Sequence, residues 1–222
     1  MKKIPTLFKR VYDPETHKII NITPEVTDAK CWTAFQLGTP TIKMDGSCCA
    51  IIVGKLYKRF DAKKGRKIPP NAIPCQPDPD PVTGHHPHWV LCDPDNPADK
   101  WFIEAYKAYA TDNVVLDGTY EAVGLHFNGN PYGLQYDILD PHGSHEIDNV
   151  FDDRSSRTFE NIREYLRTHY IEGIVFWYCG DPVCKIKRTD FGYPWGDINA
   201  KKAWLNELYG ANNLVLLRGE ES

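Results

Sequence analysis

The chain has no window approaching the roughly 20 consecutive apolar residues of a membrane span, so no membrane partner is expected. Its start, MetLysLysIleProThrLeuPheLysArg, lacks the apolar core of about 7–15 residues that a signal peptide needs, and none is expected. Cys-x-x-Cys pairs are also missing. The seven cysteines (31, 48, 49, 75, 92, 179, 184) are odd in number and two are adjacent, which makes a poor disulfide framework and points to a reducing, cytoplasmic compartment. There is no internal repeat to suggest a solenoid. Nor is there a large net charge: 26 basic against 30 acidic residues leave −4, so a polyanion could be attracted only by local charge.

What is present is ordinary for a globular protein. The 222 residues are 41% hydrophobic and 25% charged. A chain this long buries about 70% of its unfolded surface and needs no staples to fold. A single domain over 1–222 is expected. Residues 68–97 hold nine of the 17 prolines and read as a surface loop or insertion.

The pattern elsewhere alternates strands and helices. Residues 40–60 read as strand, turn, strand, with Ala50-Ile51-Ile52-Val53 an apolar run punctuated by Gly54. Cys48 and Cys49 precede that run and read as small core hydrophobes. Asn96 offers an N-cap with Pro97 at the first helical position, and Trp101, Phe102, Ala105 and Tyr109 share one helical face. A strand is expected over 114–123 and turns over 128–133. A helix is expected over 155–169, carrying Phe159, Ile162 and Leu166. Two strands, 174–178 and 183–188, flank a turn, and a last helix starts at Asp197. Together these imply an α+β class with antiparallel sheets.

Several residues could carry chemistry. Lys43-Met-Asp45-Gly46 lies between a strand and a turn. In the strand ending at Arg188, Val183, Lys185 and Lys187 share one face while Cys184, Ile186 and Arg188 share the other. A two-residue Gly180-Asp181 loop would pair Lys185 with Phe176 and Lys187 with Ile174, and put Glu172 on the lysine face; a three-residue loop would put it on the other. Such a face suits a phosphate with its metal, or a solvated set of ion pairs. Glu121 sits in a strand and could hold a ribose hydroxyl, hold a divalent cation, or point to solvent. Residues 55–67 carry seven basic residues against one acid, Asp61, a local charge of +6 that suits phosphates or a solvated strand end. His85, His86 and His88 with Cys75 and Cys92 match no compact zinc spacing and read as loop histidines.

The order Lys43-x-Asp45-Gly46, Arg59, Glu121, Glu172-Gly-Ile-Val, Lys185-x-Lys187 resembles the covalent nucleotidyltransferase superfamily of ATP-dependent ligases and capping enzymes. LysMetAspGlySerCysCys at 43–49, GlyHisHisProHisTrpVal at 84–90, AsnGlyAsnProTyrGlyLeu at 128–134, ProHisGly at 141–143 and IleGluGlyIleVal at 171–175 are similar to the RNA ligase 1 family of 5′-to-3′ RNA ligases. The motifs run in family order from about residue 40 to 195.

The resemblance implies an adenylyltransferase (ATP-grasp-like ligase) domain of two antiparallel sheets with flanking helices and ATP between them. It implies Lys43 as nucleophile, with Asp45 and Gly46 beside it in the nucleotide site. Arg59 and Lys185 would contact phosphates, Glu121 the ribose side, and Glu172, with Glu121, a Mg²⁺ or Mn²⁺ ion. Lys187 and an aromatic stacked on adenine, Tyr132 or Phe127, complete that set. Arg59, Lys63 and Lys64 would hold RNA. With little chain after residue 210, the separate C-terminal domain of many relatives is expected to be missing. The expected partners are RNA ends bearing 5′-phosphate and 3′-hydroxyl, the expected state is a monomer, and the competing readings are a capping-type guanylyltransferase and a non-catalytic RNA-end-binding module.

Such chemistry explains the clustered cations. A lysine of pKa about 10.4 lacks a free lone pair at pH 7 by about 3.4 units, or roughly 4.6 kcal/mol. Neighbouring positive charges and desolvation reduce that deficit, and the same charges neutralise a triphosphate under attack.

Overall fold

The computed structural model describes residues 1–63, 65–81, 83–147, 151–196 and 199–201. The chain forms two compact units interleaved in sequence. A framing unit comprises Pro5–Lys43 and His145–Ser222, and a nested unit comprises Met44–Ser144 with Met1–Ile4. The boundary falls inside the Lys43-Met-Asp45-Gly46 motif. In chain order the elements are β1 (Phe8–Tyr12), β2 (Ile19–Val26), α1 (Ala29–Leu37), β3 (Thr39–Lys43), β4 (Ser47–Ile52), β5 (Lys55–Ala62), β6 (Ile73–Pro74), β7 (His86–Leu91), α2 (Lys100–Asp112), β8 (Gly118–Val123), β9 (Ile138–Pro141), α3 (Phe159–Thr168), β10 (Gly173–Tyr178) and β11 (Asp181–Lys187).

The framing unit holds the antiparallel pair β1–β2 and a three-stranded antiparallel sheet in the order β11-β10-β3. Strand alternation divides that sheet cleanly. Ile174, Phe176, Cys184 and Ile186 are fully buried among Ala34 and Phe35 of α1 and Ile162 and Leu166 of α3. Each fully buried Ile or Leu contributes about 1.5–3 kcal/mol. The opposite face carries Lys43, Thr41, Lys185 and Lys187. Helix α1 was not expected, yet its signals are local: the Asp28 carboxylate caps it by accepting from Cys31 N–H at 2.8 Å, and Gly38 follows its end. The helix expected from Asp197 falls mostly outside the described residues.

The nested unit is one six-stranded antiparallel sheet in the order β6-β7-β5-β4-β8-β9. Helix α2 covers one face, packing Trp101, Phe102, Tyr106 and Tyr109 on Cys49, Ile51, Leu56, Tyr120 and Leu139. Its start follows the sequence: Asn96 caps a short 3-10 turn at Pro97–Asp99 that leads into the helix. Adjacent cysteines on a strand point to opposite faces, so only Cys49 joins this core; Cys48 lies on the reverse face.

Residues 68–97 are not wholly a loop. Residues 86–91 form β7, paired along its length with β5. Pro87 is tolerated because its carbonyl faces the edge, accepting from Cys75 N–H at 2.9 Å, and its missing donor lies on the side of the two-residue β6. His86 and His88 are correspondingly strand residues, while His85 precedes the strand. His86 Nε2 lies 2.8 Å from the Gln76 carbonyl, and His88 Nδ1 lies 2.8 Å from the His86 carbonyl.

Candidate functional site

The framing unit builds a cationic cluster from three neighbouring strands. Lys43 pairs with Gly173, and Gly173 with Lys187, so both lysines stand in one row across the sheet with a glycine between them. A Cβ on residue 173 would lie 2.2 Å from the Ile186 carbonyl oxygen, a clash that only glycine avoids. Glu172, just ahead of β10, sends its carboxylate to both lysines. Lys43 Nζ lies 2.5 Å from Oε2, and Lys187 Nζ pairs with Oε1. Glu172 is 3% exposed, against 20% for Lys43 and 33% for Lys187, so the carboxylate is the buried centre of the arrangement.

The route to this arrangement differs from the expected hairpin. The turn is Cys179-Gly180, with φ of +53° and +81°, the left-handed pair that a two-residue hairpin turn requires. A register shift beyond Trp177 then pairs Lys185 with Val175 and Lys187 with Gly173, rather than with Phe176 and Ile174. Glu172 still reaches the lysine face because it precedes the strand and is not bound by its alternation.

The charge on Lys185 is strained by its surroundings. Burial, then the nearby Lys43 and Lys187 ammonium groups, lower its pKa to about 8 from the ordinary 10.5, while Glu172 opposes the shift. Between pH 8 and 10.5 the unfolded chain binds more protons at this residue than the folded one, so its contribution to stability rises with pH across that window. The Lys185 side-chain resonance, assigned by its loss in Lys185→Met, is expected to titrate near pH 8. A midpoint at the ordinary lysine value would show that the cluster does not act on it.

The nested unit pins the rest of the motif. Asp45 N–H donates to the Tyr132 hydroxyl at 2.6 Å, and Gly46 N–H to Glu121 Oε1 at 3.1 Å. The Asn128 amide donates to Asp45 Oδ1 at 3.0 Å and to the Gly46 carbonyl at 2.6 Å. A Cβ on residue 46 would lie 2.1 Å from the Ala122 carbonyl oxygen, so the motif glycine is set by close approach to β8. His142 Nε2 lies 2.8 Å from Glu121 Oε2. Cross-strand pairing of Cys48 with Glu121, and of Glu121 with Asp140, places these three in one row on the sheet face opposite α2. Asn128, His142 and Cys48 were missed as site residues, although each stands inside a quoted motif segment; their signal was position in a motif, without a role.

The other expected residues divide. The Arg59 guanidinium lies 3.1 Å from Asp61 on its own strand. Phe127, 4% exposed and edge-on to Phe102 at 5.0 Å, is a core residue and not a stacking surface for a base. The basic run is not one surface: Lys58 pairs with the buried Asp99 on the α2 face, and Arg66 lies over the Phe60 ring at 4.4 Å. Lys63 is exposed, and Lys64 is outside the described residues.

No family model matches the chain. It is similar to RNA ligase 1 of Pongo abelii, 26% identical over 246 aligned positions that cover 78% of this chain and 72% of the relative. RNA ligase 1 of Rattus norvegicus is 40% identical over 91 positions, 36% of this chain and 26% of the relative. RNA ligase 1 of Mus musculus is 35% identical over 113 positions, 45% of this chain and 33% of the relative. The last two matches span about a quarter and a third of the proteins they match. Among the described residues, no helix is long and apolar enough to cross a membrane.

Proposed function

We propose that this protein is an ATP-dependent RNA ligase of the RNA ligase 1 family, with an adenylyltransferase fold, joining 5′-phosphate and 3′-hydroxyl RNA ends. The observation that carries the reading is the cluster in which Lys43 and Lys187 share the Glu172 carboxylate beside a deprotonation-prone Lys185. Similarity to proteins named RNA ligase 1 supports the choice of reaction.

In the proposed cycle, the neutral Lys43 amine attacks the α-phosphorus of ATP. An N–P bond forms, the bond to pyrophosphate breaks, and the amine proton passes to solvent. An RNA 5′-phosphate oxygen then attacks that phosphorus, breaking the N–P bond, returning the lysine amine and forming a 5′–5′ pyrophosphate linkage; the 3′-hydroxyl finally attacks the RNA phosphorus, forming the phosphodiester and expelling AMP while its proton passes to solvent. Glu172 orients Lys43 in the resting state, and Lys185, Lys187 and Arg59 neutralise phosphate charge. Glu121 and Tyr132, which hold Gly46 and Asp45, serve the nucleoside side. Glu172 and Glu121 are the carboxylates assigned to Mg²⁺ or Mn²⁺, which would supply further charge neutralisation at the phosphates. Each carboxylate takes two partners, one on each oxygen, and retains lone pairs for an ion; the fit differs because both partners of Glu172 are ammonium groups, whose charge opposes a neighbouring cation. A cytoplasmic monomer completes the proposal, and seven free cysteines suit that compartment.

The test is closure of a 5′-phosphorylated, 3′-hydroxyl RNA with ATP, beside a DNA control and a GTP control. Sealing of RNA with ATP is expected. A covalent adduct formed only from GTP would favour capping chemistry, and no adduct from either nucleotide would leave a binding module. Lys63→Ala with Lys64→Ala is expected to weaken RNA binding and flatten its salt dependence by about two counterions, sparing self-adenylylation. An unchanged salt slope would remove this pair from the RNA interface.

A further inference from the structure

We infer that Cys48, Glu121 and His142, on one face of the nested unit's sheet, form a binding site for a thiophilic divalent cation of the zinc type. Their ligand atoms all lie within 4.8 Å of one another, and among the described residues they are the one such group of three. The placement is fixed by backbone pairing. Cys48 and Glu121 are cross-strand partners on β4 and β8, Glu121 and Asp140 are partners on β8 and β9, and His142 follows two residues on, its N–H donating to the Thr119 carbonyl at 3.0 Å.

The contact between His142 and Glu121 already brings two donors near the spacing of ligands on one ion. His142 Nδ1 is buried without a hydrogen-bond partner, while Nε2 lies against Glu121. An ion held by Nε2, the Glu121 carboxylate and the Cys48 thiolate takes the place of the proton shared at that contact, and Nδ1, which has no competing partner, can carry the imidazole proton. Charge supports the assignment: a thiolate and a carboxylate together neutralise a dication, which suits a site sheltered from water. The thiol proton leaves to solvent when the ion binds.

Donor chemistry selects the ion. Magnesium takes oxygen ligands and keeps its waters, whereas thiolate with imidazole and carboxylate suits zinc. Around a tetrahedral zinc, ligand atoms about 2.0–2.3 Å from the ion lie about 3.3–3.6 Å apart, so side-chain rotation must close the remaining ångström or so. Three protein ligands leave a fourth position open. Resting on the proposed function, one consequence follows: a cation on Glu121 takes a group assigned to the nucleotide, so zinc is expected to inhibit self-adenylylation.

The experiment needs neither ATP nor RNA. Cobalt(II) titrated into the intact reduced protein is expected to give one equivalent of binding with a near-ultraviolet thiolate charge-transfer band. Cys48→Ser should abolish the band. His142→Gln should weaken binding at least about tenfold, the scale of losing even a supporting partner. Cys179→Ser, at the exposed tip of the β10–β11 hairpin, should change nothing. A band that survives Cys48→Ser, an affinity untouched by His142→Gln, or binding well below one equivalent would overturn the site. Circular dichroism identifies a variant that has failed to fold; if Cys48→Ser does so, His142→Gln decides, and the reverse holds.

Discussion

Lys43→Arg is expected to abolish covalent AMP labelling while leaving the protein folded. The guanidinium stays protonated at any working pH and offers no nucleophilic lone pair. It keeps the positive charge opposite Glu172, so the ion pair at the centre of the cluster survives the change. The melting temperature is expected to move by no more than about 2–4 °C, which corresponds to about 1 kcal/mol for a chain of this size. Intact-mass spectra of wild type with ATP and a divalent ion should gain one adenylate, and spectra of the variant none. An adduct persisting on Lys43→Arg would place the nucleophile elsewhere. Lys43→Ala is the weaker probe, because it also strips Glu172 of a partner.

Glu172→Ala is expected to be the most destabilising change within the cluster. It leaves Lys43, Lys185 and Lys187 facing one another without the buried carboxylate that two of them share. Breaking a buried pair costs about 3–5 kcal/mol, and partial exposure of both lysines brings the expectation to about 2–3. For a chain of this size that is a fall of about 4–12 °C in melting temperature. The pH dependence has a definite sign. Glu172 raises the pKa of Lys185, so its loss drives that pKa below about 8, and the deficit should narrow as pH rises from 7 to 9 and Lys185 sheds its proton. Thermal melts across that range check it; a deficit constant with pH would mean that lysine repulsion is not its source. Self-adenylylation should fall by about 10²-fold or more, the scale of one lost electrostatic partner at a reacting centre.

Legibility followed the range of the interactions. The α2 start was readable because Asn96 and Pro97 act within one turn, and the buried stripe of α3 because Ile162 and Leu166 recur at helical spacing. The alternation of Val183, Lys185 and Lys187 against Cys184, Ile186 and Arg188 followed from pleat geometry alone. Strand β7 was hidden because proline density argues against a strand, and only its position beside a two-residue edge strand makes Pro87 tolerable. Phe127 looked available to a base until packing against Phe102 placed it in the core.

The amino-acid order by itself determined the class, the antiparallel strands, the lysine face of β11 and the motif series, since these rest on local periodicity and on contiguous residues. Tertiary structure alone decided which groups meet. The hairpin register set the partners of Lys185 and Lys187, and Gly173 let Lys43 and Lys187 close on Glu172. Glu121, His142 and Cys48 were brought together from positions up to 94 residues apart in sequence (142 − 48). Register depends on turn geometry and bulges, and long-range contacts on how whole faces bury, so neither can be read from any short window of sequence.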